Sequence, residues 1–454
     1  MLLLLYEGQL PPLSLPQESP LTYTLTCYFV GTYHRPELAE TDYKVSSFAQ
    51  SMKQDQIMSL IKTRKRKAAE VDHFSLDELN QDLLEGVLSW LPTSSFLRLR
   101  SVCKRWSSIA TSRTFKLACS RVPTRDPWFF MVDPHLDQSI VFDTTENNWK
   151  NLNYPSLLSQ TQNAKSIPVA SSSGVVCFRT VSGNFIISNP VTGACRELPL
   201  ACPPGQTQAI QAIAMHSTNC SSYRLVLVYG EFPHLSAKIY DSDTNQWEEE
   251  FSLSRKPSQE CDSSGDETVY FLSKAGDVIA TNMQRSPSKQ YSSVITVKGG
   301  EEVIYFLSFS GTVVACNLAR RTFSEYPRLL PVFFEYSIDL VECGGEMLVV
   351  VLSEFLESAS LRVWKFSERE RSWHQVAAMP PAMSHVFYGK KADINCVGYG
   401  DQMLICVNSG EFSSYVLCNL VSNEWAELPK CFVDGKSKEF MSAFAFEPRI
   451  EACV

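Results

Sequence analysis

Two hydrophobic rhythms divide this chain. Residues 74–118 repeat their apolar positions with helical spacing, and from about Trp128 apolar and polar residues alternate with the period of a strand. In "LDELNQDLLEGVLSWLP" Leu79, Leu83, Leu84, Val87, Leu88 and Leu91 fall at i, i+4, i+5, i+8, i+9 and i+12. That spacing predicts a helix capped by Ser75 or Asp77 and stopped by Pro92. A second helix is predicted from about Ser94 to Ala110, with Thr93 or Ser94 as its cap. On it Phe96, Leu99, Val102, Cys103 and Trp106 share one face, and Arg98, Arg100, Lys104 and Arg105 lie mostly away from it.

The alternating region contains a repeat. Six segments align: "IVFDTTENNW", "FIISNPVTGAC", "KIYDSDTNQW", "VVACNLARRTF", "VWKFSERERSW" and "YVLCNLVSNEW". Each is a strand, a short polar turn and an aromatic or apolar anchor that opens the next strand. Asp143 to Trp149, Asn189 to Cys195, Asp241 to Trp247, Asn317 to Phe323, Ser367 to Trp373 and Asn419 to Trp425 all span six positions. Successive anchors stand 46, 52, 76, 50 and 52 residues apart, a period that fits a four-stranded propeller blade of the kelch size. Within the long interval "TVYFLSKAGDVIATNMQRSPSKQYSSV" at 268–294 reads as a degenerate extra copy, which favours seven blades over six. The apolar runs "GVVCF", "YRLVLVYG", "VIYFLSF", "EMLVVVL" and "QMLICV" suit inner strands. Such a sheet cannot cover both of its own faces, so the copies stack around an axis, and "SAFAFEP" at 442–448 is expected to close the ring on "WFFMV" and "SIVFD".

The expected architecture is thus mainly β. A kelch-type β-propeller of six or seven blades, seven favoured, spans 128–450 behind a small all-α module at 72–118 and a linker at 119–127. Residues 1–71 are uneven and expected to be poorly ordered. Their "KTRKRK" run at 62–67 suits a solvated segment or a nuclear import address. The start "MLLLLYEGQLPPL" has no basic region and its apolar run stops at Glu7, unlike a secretory signal. No run reaches membrane-spanning length. Residence in the nucleus, the cytoplasm or both is expected.

Charge and chemistry narrow the picture further. The net charge of −8 argues against nucleic acid or an acidic membrane as partner. Fifteen cysteines, odd in number and without a C-x-x-C, read as free thiols in a reducing compartment. The seven histidines form no H-E-x-x-H, and neither a phosphate-binding glycine loop nor a G-x-S-x-G elbow occurs. No catalytic residue, metal or cofactor is expected.

The helical segment resembles an F-box. The resemblance rests on "DLLEGVLSWLP", on Phe96 and Leu99, and above all on "SVCKRWSSIATSRTF", which includes Phe115. With the propeller behind it, the chain resembles the plant-type F-box/kelch-repeat proteins over about 72–450. The resemblance implies docking on the Skp1-like adaptor of SCF-type ubiquitin ligases, and through it on a cullin, with an unknown protein substrate held by the propeller. It implies an adaptor-facing side of Leu79, Leu83, Leu84, Val87, Leu88, Leu91 and Pro92. Phe96, Leu99, Val102, Cys103, Trp106 and Ile109 would divide between that interface and the module's own core, with Trp106 the favoured anchor. The family's opening Leu-Pro is replaced by Leu79-Asn80, which removes a rigid turn. Two other readings stand beside this one: a kelch scaffold or transcriptional cofactor whose helices simply pack on the propeller, and a propeller enzyme.

Overall fold

In the computed structural model, six blades surround one axis. It describes residues 79–136, 138–152, 166–201, 209–219, 222–256, 270–272, 278–280, 291, 293–308, 311–329, 336–355 and 357–454. Expectations for the N-terminal extension and its basic run lie outside these residues.

Blade 1 joins Trp128–Val132, Ser139–Asp143 and Asn148–Leu152 to the C-terminal strand Ser442–Phe446, with Phe130 opposite Phe444. Blade 2 holds Ile167–Ser172, Val175–Arg179, Phe185–Ser188 and Cys195–Glu197. Blade 3 holds Ile210–Asn219, Ser222–Glu231, His234–Asp241 and Gln246–Trp247. Blade 4 holds Ser293–Lys298, Glu301–Leu307, Val313–Asn317 and Thr322–Glu325. Blade 5 holds Tyr336–Cys343, Glu346–Phe355, Ser358–Ser367 and Ser372–Ala378. Blade 6 holds Asp393–Tyr399, Gln402–Asn408, Ser413–Asn419 and Glu424–Glu427.

The innermost strands touch in the cyclic order of blades 1 to 6 and back to 1, so the ring closes on six sheets and the favoured seventh has no place. The supposed extra copy is accounted for differently. Tyr270–Leu272 and Val278–Ala280 form a separate two-stranded hairpin, and Ser293 already belongs to blade 4. One irregularity follows blade 3. Phe251–Arg255 pairs antiparallel with Leu235–Ala237 and parallel with Thr322–Phe323, which fuses blades 3 and 4 into one nine-stranded sheet.

The apolar runs taken for inner strands are second strands. Val175–Arg179 and Gln402–Asn408 are almost wholly buried because their faces are covered by neighbouring blades on both sides. The strands nearer the axis are more mixed, as in the Ser293–Lys298 strand of blade 4. The glycine pairs supply the hairpins between these strands: Gly299 and Gly300 have φ of 59° and 83°, a left-handed pair that side chains disfavour.

The six-residue spacing has a local cause. Asp143, Asn189, Asp241, Asn317 and Asn419 each accept a backbone N–H two or three residues on through a side-chain oxygen, and Ser367 does so through its hydroxyl. Four residues after each, Asn147, Gly193, Asn245, Arg321, Arg371 and Asn423 take positive φ, and the anchor follows two later. Three indoles then tie adjacent blades. Trp149 donates to the Pro429 carbonyl at 2.8 Å, Trp247 to Pro199 at 2.8 Å and Trp373 to Pro327 at 2.7 Å. Those carbonyls belong to the "ELP" and "EYP" stops of the preceding blades.

Candidate functional site

Among the described residues four short helices precede the propeller: α1 Gln81–Ser89, α2 Thr93–Leu99, α3 Lys104–Ile109 and α4 Arg113–Ser120. The single helix expected from Ser94 to Ala110 is therefore broken. The break is at Cys103, whose backbone is extended (φ −153°, ψ 163°) and whose Sγ caps α3 by accepting the Trp106 N–H at 3.5 Å. Phe96, Leu99, Cys103 and Trp106 still reach one core across that bend, and of the five residues expected on a shared face Val102 is left in solvent.

α1 begins at Asn80 rather than at Ser75 or Asp77, which lie outside the described residues. Asn80 accepts the Asp82 N–H and has φ −54° and ψ 144°, nearly the backbone of Pro92 at the head of α2 (φ −52°, ψ 139°). Leu79-Asn80 thus keeps the turn that a Leu-Pro would fix, and a side-chain cap replaces the ring.

Two stripes run along α1, each at i, i+4 and i+7, one residue out of step. Leu84, Leu88 and Leu91 face inward, and they pack with Phe96, Trp106, Ile109, Phe115, Cys119 and Ile450 in one core, where Phe96 and Phe115 stack at 4.7 Å. Leu83, Val87 and Trp90 face outward and are 61%, 59% and 68% exposed. Val102, at 65%, and Leu117, at 56%, are exposed as well. An apolar helix that has one stripe sealed and the other in water has more hydrophobic surface than its own fold uses.

The thirteen residues singled out from sequence therefore separate. Leu83, Val87, Pro92 and Val102 are exposed; Leu79, Leu91, Leu99 and Cys103 are half-buried; Leu84, Leu88, Phe96, Trp106 and Ile109 are buried in the chain's own core. Trp106 is thus corrected from docking anchor to core residue. Trp90 and Leu117 were missed, although Trp90 stands at i+7 from Leu83 on the helix already predicted.

The module is fastened to the blades on its other side. Thr93 Oγ1 donates to the Pro448 carbonyl, Ser94 Oγ to the Asp143 carboxylate, and Arg98 pairs with Glu146 at 2.6 Å. Arg125 donates to the Leu91 and Ser89 carbonyls at 3.0 and 2.9 Å, satisfying carbonyls at the end of α1. The stretch expected to be a linker is packed: α4 extends to Ser120, and Cys119 and Val122 are buried.

Residues 76–118 match the family model of the F-box domain, and residues 141–394 match that of the KIB1-4 beta-propeller. The chain is 48% identical to F-box only protein 13 of Arabidopsis thaliana, across 99% of this chain and 98% of that protein. The chain is an F-box protein. F-box only protein 6 of the same plant is 24% identical over 85% of this chain and 78% of its own length. Protein UNUSUAL FLORAL ORGANS, also of Arabidopsis thaliana, is 21% identical over 82% and 84%. The model that matches the propeller is the KIB1-4 one, and the kelch assignment stays an inference from repeat length.

Little in this F-box protein invites chemistry. Among the described residues no group of three His, Cys, Asp or Glu is placed to hold a metal, and no helix is long and apolar enough to cross a membrane. The eleven described cysteines are free thiols, eight of them buried. Burial pushes Cys316 and Cys418 up to about 12, so both stay protonated at neutral pH. What the F-box does offer is an exposed apolar stripe at Leu83, Val87 and Trp90.

Proposed function

We propose that this chain is the substrate-recognition subunit of an SCF-type ubiquitin ligase. Its F-box docks on a Skp1-like adaptor, and through it on a cullin, while the propeller holds the protein to be ubiquitinated. The observation that carries the reading is the outward stripe of Leu83, Val87 and Trp90 in a module whose other stripe is already sealed. The chain itself is a non-catalytic receptor in this reading. It contributes proximity and orientation, and transfer occurs on a separate conjugating enzyme. The Lys-Arg run at 62–67 supports residence in the nucleus, the cytoplasm or both.

The scaffold reading draws on one specific observation, the fastening of the F-box to blade 1 and the C-terminal segment. That fastening uses Thr93, Ser94, Arg98 and Arg125 and leaves the outward stripe untouched. The two readings separate in a binding assay with a purified Skp1-like adaptor. Leu83→Asp with Val87→Asp changes only exposed positions, so the chain is expected to stay folded and to bind the adaptor at least about tenfold more weakly. Undiminished adaptor binding by a folded double variant would refute the docking assignment.

A further inference from the structure

A cleft of about 840 Å³ opens between blades 4 and 5, on the side of the ring away from blade 1. Its size lies within the roughly 300–1,000 Å³ of ordinary ligand sites. One wall is aromatic. Tyr326 and Phe366 stack at 4.3 Å, Trp373 stands 5.1 Å behind Phe366, and its bond to the Pro327 carbonyl fixes the wall in place. Tyr326 and Phe366 are half-buried and line the cleft, so part of each side chain is open to a ligand.

The rim is charged and does not balance. Five cationic and three acidic side chains line the cleft. Arg255 pairs with Glu325 at 3.2 Å, Lys298 with Glu368 at 3.4 Å, and Arg320 with Glu301 at 2.8 Å. Lys256 and Arg371 remain, exposed and without a carboxylate partner among the described residues. In a chain of net charge −8, this is a local positive excess beside an apolar wall.

Two of the cations are there because the outer edge of blade 4 departs from the repeat. The strand Phe251–Arg255, added to the edge of blade 4, carries Arg255 and Lys256 to the cleft. Arg371 occupies the positive-φ position of its turn, at 51°, where four of the six turns use Asn or Gly. A long side chain at that position is disfavoured by the backbone, so Arg371 is not explained by turn chemistry.

We propose that this cleft is a docking site for an acidic peptide segment of a partner protein. Its carboxylates meet Lys256 and Arg371, and one aromatic or aliphatic side chain lies on Tyr326 and Phe366. The inference rests on the receptor reading for the identity of the partner as a recruited protein, but the cleft chemistry is independent of the F-box.

The test uses the full chain and two fluorescent decapeptide pools, one with four glutamates around a central Phe and one with four lysines in their place. Fluorescence anisotropy is expected to give at least about tenfold tighter binding of the glutamate pool, with the preference shrinking as salt is raised. Lys256→Glu with Arg371→Glu should abolish that preference at an unchanged melting temperature. Phe366→Ala should weaken binding of both pools, and Arg371→Lys should retain the preference. Equal binding of the pools, a preference that survives charge reversal, or a self-association of the chain that Arg371→Glu abolishes would overturn the proposal. The Leu83→Asp, Val87→Asp chain is measured alongside. Peptide preference without adaptor binding by the wild type sinks the ligase reading alone, and the converse sinks this one alone.

Discussion

Glu85 is a buried carboxylate in the F-box with no ion pair among the described residues. Burial alone pushes its pKa up, but hydrogen bonds from Thr114, Gln81 and Ser112 outweigh that and hold it below the ordinary value of 4.5. A carboxyl group that is more acidic folded than unfolded contributes stability above its unfolded pKa and loses it as pH falls through the folded one. The F-box of the wild type is therefore expected to melt lower as pH drops below about 4.5, and Glu85→Gln should flatten that slope; parallel slopes in thermal melts would contradict it. Trp106 poses a different balance at the same scale. Trp106→Ala opens a core cavity and should cost about 3–5 kcal/mol, enough to unfold so small a module. Its indole N–H is buried with no acceptor, so Trp106→Phe should cost far less in denaturant titrations. Individual residues were only partly legible from sequence. Apolar spacing located α1, but Leu83 and Leu84 are the same residue type, and only the packing against Phe115 and Ile450 decides which of them faces water.

Turns and strands carried a clearer signal than single side chains. The Asx-type turn, the positive-φ position and the anchor recur at fixed offsets because each solves a local backbone problem, so the six copies were visible without any tertiary information. The indole latches were visible only as two unconnected motifs, the anchors and the Pro stops, which the fold brings together across adjacent blades. Removing one indole donor tests their worth. Trp149→Phe and Trp247→Phe should each lower stability by about 1 kcal/mol, read as a shifted urea midpoint. Trp425→Phe should shift it less, because that indole bonds only Asn423 in its own turn. Equal shifts at all three positions would deny the inter-blade role. Where the reading failed, the cause is also physical. A second strand enclosed on both faces and an innermost strand look alike as apolar runs, and the break at Cys103 leaves no Pro or Gly to announce it. The added strand at 251–255 and the separate pair of strands at 270–272 and 278–280 lengthened one interval, and the latter imitated a seventh blade.

At the level of the whole chain, both ends of the fold meet in its last residues. Ser442–Phe446 closes blade 1, and the segment after it wedges between the propeller and the F-box. Arg449, only 1% exposed, bonds Glu447 at 2.6 Å, Glu451 at 3.0 Å and the carbonyls of Val122 and Pro123 at 3.1 and 3.0 Å. Asn189 of blade 2 donates to the Arg449 carbonyl at 2.9 Å, and Tyr399 of blade 6 donates to Glu447. The segment after Phe446 thus meets blades 2 and 6 through Asn189 and Tyr399, and the Arg449 guanidinium ties it to the stretch that follows α4. A fixed junction of this kind sets the distance between whatever the propeller holds and whatever the F-box docks on, which a flexible tether would not. Arg449→Ala leaves two carboxylates buried without their cation and should weaken the junction by roughly 3–5 kcal/mol. Blade 1 should remain closed, because its strand pairing stops at Phe446. The expected signature in hydrogen exchange is faster exchange across α4 and residues 119–127, with the second strands of blades 3 to 5 unchanged. Uniformly faster exchange would mean that Arg449 supports the propeller itself, and unchanged exchange at 119–127 would mean that the junction is held by the Thr93, Ser94, Arg98 and Arg125 contacts without it.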